Sequence, residues 1–126
     1  MTSSYFKNLF PRPTTMKTKL ITAPAFPCLG ALVFSRGVAS RSEADAIFCD
    51  AVKYRQQLFR NGDWGDLGEE DWDQNVQTCK QADGGQLLGI YKLPDGSRIW
   101  ILTVGYARQT LGHDYCYTTI LFPDEY

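Results

Sequence analysis

A chain of 126 residues is long enough to bury one hydrophobic core and too short for two, and its 44% hydrophobic and 21% charged residues exclude a disordered chain. The formal net charge of -1 excludes a global field that would draw the molecule to nucleic acid or to an anionic membrane, so any such partner must meet a local patch. Cys28, Cys49, Cys79 and Cys116 show no close C-x-x-C pairing and there is one histidine, His113, so the cysteines read as reduced, small apolar residues rather than metal ligands or a disulfide framework.

Residues 1–28 read as a basic arm, in which Lys7, Arg12, Lys17 and Lys19 precede the first acid, Glu43, without hydrophobic periodicity. Met16 is a second candidate start. Lys17-Thr18-Lys19 followed by Leu20-Ile21 looks briefly like an export signal, but Pro24, Pro27 and Gly30 interrupt the apolar run. No stretch is long enough to span a membrane, and the expected location is the cytoplasm.

The domain proper is expected over 29–126. Leu29 to Ser35 reads as a buried strand ending in a turn at Arg36-Gly37. Ser40 or Ser42 then caps a helix; with Ser42 as cap, Asp45 takes the third helical position. Ile47, Ala51, Tyr54 and Leu58, flanked by Phe48, Val52 and Phe59, recur at helical spacing and predict a broad core-facing stripe that stops at Asn61-Gly62. After a glycine-punctuated loop, Glu69 to Lys80 predicts a second helix, with acids at its front, Lys80 at its back and Trp72, Val76 and Cys79 on one face. Asp83-Gly84-Gly85 is expected to end it.

Strands are predicted at Leu87 to Leu93 and Arg98 to Val104, around a Pro94-Asp95-Gly96 hairpin turn. On the second of them Ile99, Ile101 and Thr103 alternate with Trp100, Leu102 and Val104. Both faces are apolar, which predicts a central strand covered on both sides. Gly105 to about His113 reads as a loop, and Tyr115 to Phe122 as the last strand. The expectation is an α+β domain in the order β-α-α-β-β-β, with two helices on one face of a mainly antiparallel sheet of about four strands.

Gly62-Asp63-Trp64-Gly65-Asp66-Leu67 with Glu70-Asp71 and Asn75, the strand through Tyr91, Ile99 to Thr103, and Thr118-Thr119-Ile120-Leu121-Phe122-Pro123-Asp124-Glu125-Tyr126 together resemble a family of small proteins carried on plasmids, integrative elements and other mobile DNA. The resemblance covers roughly residues 29 to 126. It implies a mobile-element setting, which includes integron gene cassettes, and brings no active site with it. Two segments depart from the pattern: the basic arm, and the longer stretch Gly105 to Tyr117.

Three constellations invite chemistry. Asp63, Asp66, Glu69, Glu70, Asp71 and Asp73 run without an intervening base. They read as acids favoured by a helix N-terminus on a solvated face, as a phosphate-mimicking or protein-binding surface, or, through Asp63, Asp66 and Glu70, as a hard-cation site. Trp64 and Trp72 flank the run, as interface anchors do, although a lid on the core is the favoured reading of each. His113-Asp114 beside Cys116 suggests a nucleophile and base, but residues 114 and 116 of a strand share a face from which His113 points away. Asp124-Glu125-Tyr126 reads as a solvated tail, or as one in which Tyr126 folds back and packs or the carboxylates pair with Arg36 or Arg98.

No phosphate-loop, nucleophile-elbow, zincin or dinucleotide signature is present. The expected function is therefore a non-enzymatic accessory protein acting by protein–protein contact, as a homodimer, through Asp63, Trp64, Asp66, Glu69, Glu70 and Asp73. Inhibition of a host defence or nucleic-acid-handling protein is one concrete version. No cofactor, metal or catalytic residue is assigned, and membrane and nucleic-acid partners are disfavoured. The alternative is a small enzyme or ligand-binding domain with a pocket between sheet and helices, lined by Tyr91, Trp100, Tyr106, Arg108, His113 and Tyr117.

Overall fold

The computed structural model describes residues 29–107 and 116–126. They form an α+β fold: β1 (Ala31–Phe34), α1 (Arg36–Ala44), α2 (Ala46–Arg60), α3 (Glu69–Gln81), β2 (Asp83–Lys92), β3 (Arg98–Ala107), β4 (Tyr117–Leu121) and a 3-10 turn at Pro123–Glu125. The sheet order is β1-β4-β3-β2, with β1 parallel to β4 and the other two pairs antiparallel. The basic arm and the core of the departing Gly105–Tyr117 stretch lie outside the described residues.

The first predicted helix is two helices. Arg36-Gly37 opens α1 instead of turning the chain, because the Ser35 hydroxyl accepts from the Val38 N–H and caps it. Asp45 is extended, ends α1 and caps α2, its carboxylate accepting from the Ile47 and Phe48 N–H groups at 3.0 and 3.1 Å. Asp45 thus does the capping expected of Ser42. Farther on, α3 closes at Gln81 with Ala82 in the left-handed region, and Asp83 already begins β2 instead of ending the helix.

The core lies on one face of the sheet. Leu87, Tyr91, Ile99, Ile101 and Ile120 pack there with Val38, Phe48, Val52, Phe59, Trp72 and Val76 from the helices. Thr103 and Thr118 join this face as a buried hydroxyl pair 2.6 Å apart, and Thr118 also donates to the Leu29 carbonyl. That second bond supplies a partner for each buried oxygen where the chain enters β1.

β3 is central, as expected, but only one of its faces is covered by helices. Trp100, Leu102 and Val104 are half-buried on the other face, where Trp100 meets the ring of Tyr126 at 5.3 Å. The strand also runs past Val104, the expected end. An extra residue on β3 between Thr103 and Tyr106 shifts the register and returns Tyr106 to the buried side.

The C-terminal segment is exposed but tied to the fold. Glu125 accepts from the Ser35 hydroxyl at 2.6 Å, the Phe122 N–H at 2.8 Å and the Gly37 N–H at 2.9 Å. A carboxylate at the start of α1 meets the positive end of the helix dipole. The Ser35 hydroxyl, then the two backbone donors, hold the Glu125 carboxyl below the usual glutamate range. Gly37 leaves room for this contact: a Cβ there would lie 2.6 Å from the Glu125 carboxylate.

Candidate functional site

The loop between α2 and α3 places the acidic run. Trp64 and Trp72 are both fully buried and meet edge to face, ring centroids 5.0 Å apart. They are core residues, so neither is an exposed anchor beside the acids. Asp63 is buried as well, its carboxylate accepting from the Gly65 N–H and its carbonyl from the Tyr91 hydroxyl at 2.8 Å. The expected binding set therefore divides: Asp63 and Trp64 lie inside, Asp66, Glu69 and Glu70 are exposed, and Asp73 is half-buried. Among the described residues no three His, Cys, Asp or Glu side chains come together as a metal site, which leaves the Asp63–Asp66–Glu70 cation reading without support.

The proposed pocket liners are separated by the sheet itself. Tyr91 and Tyr106 sit on the core face, whereas Trp100 and Tyr117 sit on the opposite face. Arg108 and His113 lie outside the described residues, as does Asp114. Burial, reinforced by the Asp63 carboxylate, holds the Tyr91 phenol protonated well above its ordinary range, so it serves as a hydrogen-bond donor. Its position makes it a strut between β2 and the loop. Cys79 and Cys116 are buried and Cys49 is half-buried.

What the structure does bring together is a sealed sheet edge. β2 is terminal in the sheet, yet its outward backbone groups are met at three alternate residues. The Asn75 side chain bonds the Leu88 N–H and carbonyl at 3.1 and 2.8 Å, as a neighbouring strand would. The Ile90 N–H donates to the Trp64 carbonyl and the Ile90 carbonyl accepts from the Asp66 N–H at 2.7 Å. The Lys92 carbonyl accepts from Arg55 on α2. Gly65 is required at the middle contact, since it adopts φ +70° and a Cβ there would lie 2.2 Å from the Ile90 carbonyl oxygen.

The other terminal strand, β1, has no described strand beyond it. Leu32 and Val33 point to opposite faces, and both are exposed. Next to them Tyr117, paired across from Ala31, is 45% exposed. A depression of about 60 Å³ lined by Leu29, Leu32, Gln56, Phe59 and Arg60 opens beside the strand. Sequence reasoning missed this edge, because a strand's position in a sheet depends on pairing order, which leaves no local mark.

No described helix is long and apolar enough to cross a membrane. No family model, curated protein or solved structure matches this chain.

Proposed function

We propose that this is a non-enzymatic accessory protein, of the kind mobile genetic elements carry, that acts as a homodimer by protein–protein contact, and that its target adds an extended segment to the free edge of β1. The observation that carries this reading is the contrast between two edges of one sheet. Three separate devices close the β2 edge, whereas among the described residues no strand lies beyond β1, where Leu32 and Val33 are exposed. An unprotected apolar edge is a template for another chain. In strand addition the backbone bonds supply affinity and side-chain pockets supply specificity, and the depression beside Leu32 is of a size for one small side chain.

Asp66, Glu69 and Glu70 give the exposed front of α3 a negative field. Such a field speeds encounter with a basic protein more than it tightens the final complex. A host protein that handles nucleic acid has that character, so its inhibition is the concrete version of the proposal. The test is recovery of a host protein by the immobilised full chain, compared with Leu32→Lys plus Val33→Lys and, separately, with Asp66→Asn plus Glu70→Gln. Loss of capture in the edge variant, with slower association in the acid variant, is the expected result. Capture that survives the edge variant and disappears in the acid variant would move the contact to α3 and overturn strand addition.

A further inference from the structure

An aspartate or asparagine followed by glycine can modify itself, and the chain has three such steps: Asn61-Gly62, Asp83-Gly84 and Asp95-Gly96. The glycine backbone nitrogen attacks the Cγ of the residue before it, and no Cβ on the glycine stands in the way. The attack needs an unoccupied N–H, a Cγ that can lose its leaving group, and room for the peptide to swing. The fold treats the three steps differently.

Two of them are closed. Asn61 is the C-cap of α2, and the N–H of the buried Gly62 donates to the Phe59 carbonyl at 3.1 Å. The Asp95 carboxylate accepts from the Ser97 hydroxyl at 2.6 Å and the Ser97 N–H at 2.9 Å, and pairs with Arg41. The Ser97 hydroxyl, then the Ser97 N–H, hold this carboxyl below the usual aspartate range, and an ionised carboxylate is a poor electrophile. The Gly96 N–H donates to the Leu93 carbonyl at 2.9 Å.

Asp83-Gly84 is built otherwise. Both residues are exposed, and the Asp83 side chain makes no hydrogen bond or ion pair among the described residues. The pairing of β2 with β3 passes from Asp83 opposite Ala107 to Gly85 opposite Tyr106, so Gly84 is the extra residue of a bulge. It adopts φ +109°, and no atom lies within 4 Å of the place a Cβ would take. Just before it, Ala82 is left-handed, so the chain turns from α3 into β2 at this step.

We infer that Asp83-Gly84 is a site of isoaspartate formation in the folded protein, and a substrate site for a methyltransferase of the class that esterifies isoaspartyl carboxylates. The Gly84 nitrogen bonds to the Cγ of the protonated Asp83 carboxyl, and the nitrogen's proton and the hydroxyl leave as one water. Water then opens the succinimide ring. Addition at Cγ restores Asp83, whereas addition at the α-carbonyl leaves the main chain running through Cγ beside a free α-carboxylate. One water leaves and one returns, and nothing is oxidised or reduced. The product lengthens the main chain by one carbon between α3 and the sealed β2 edge.

The experiment ages the full chain in mildly acidic buffer, folded or in urea, and then removes the urea. Isoaspartate is labelled with a protein-isoaspartate methyltransferase and a radioactive methyl donor, and located by peptide mapping. Folding should suppress the label at Asn61 and Asp95 at least about tenfold, because each must first open locally, and change it at Asp83 by less than about threefold. Asp83→Ser should remove that label with the urea midpoint unchanged, since the side chain is exposed. Ser97→Ala should raise the label at Asp95. Suppression at Asp83 as strong as at the other two steps would overturn the site. Equal labelling of all three in the folded chain would overturn the selection by the fold.

Discussion

The two edges of the sheet are built on opposite principles. At β2 the backbone is satisfied by an amide side chain, a loop and an arginine, each from a different element. At β1 four residues end the sheet with nothing described beyond them. Trp64, Gly65, Asp66, Asn75 and Tyr91, all among the motif residues of the sequence, belong to the sealed edge, where their contacts hold the fold together.

The comparison can be broken at the sealed edge first. Trp64→Ala removes a fully buried ring from the loop that pairs with Ile90, and should cost about 3–5 kcal/mol in urea denaturation. Asn75→Leu leaves the Leu88 N–H and carbonyl without their side-chain partner and should cost about 1–3 kcal/mol. It should also make the protein aggregate at concentrations where the wild type does not, seen by light scattering, since a second edge is opened.

Smaller effects test the region around β1. Glu125 has its folded pKa lowered, so the stability it contributes is present above the ordinary glutamate value of about 4.3 and is lost as pH falls through the lowered folded value. Urea midpoints should therefore differ between wild type and Glu125→Gln at pH 7 and converge at pH 3. A difference that persists at pH 3 would mean that the carboxylate charge is not what α1 uses. Smallest of all, Leu32→Lys plus Val33→Lys should change stability by no more than about 0.5 kcal/mol. A loss as large as that of Asn75→Leu would show that the β1 edge is covered in the folded chain.

The hairpin, the central position of β3 and the helix at Glu69 were legible because each depends on neighbours in sequence: a Pro-Asp-Gly turn, alternation over seven residues, acids at a helix front. What was not legible depends on distance. Nothing near Ser35 announces that it caps a helix whose N-terminus is completed by Glu125, 90 residues away. Likewise the apolar width of α2 was visible while its division was not, since the place where the core stops depends on where the sheet lies. Asp63 and Trp64 look exposed because polar residues and glycines surround them, yet the Gly65 contact with Ile90 draws that loop against β2.

The order β1-β4-β3-β2 also governs how the chain comes off the ribosome. β2 and β3 can pair as soon as both have emerged, being joined by a short turn. β1 cannot, because among the described residues its partner in the sheet is β4, and the N-terminus of α1 is likewise met by Glu125 from the far end of the chain. At about 5–20 residues per second, Leu32 and Val33 wait several seconds of synthesis for β4. Throughout that interval a nascent-chain chaperone, or a second nascent chain on the same message, competes with β4 for the same backbone.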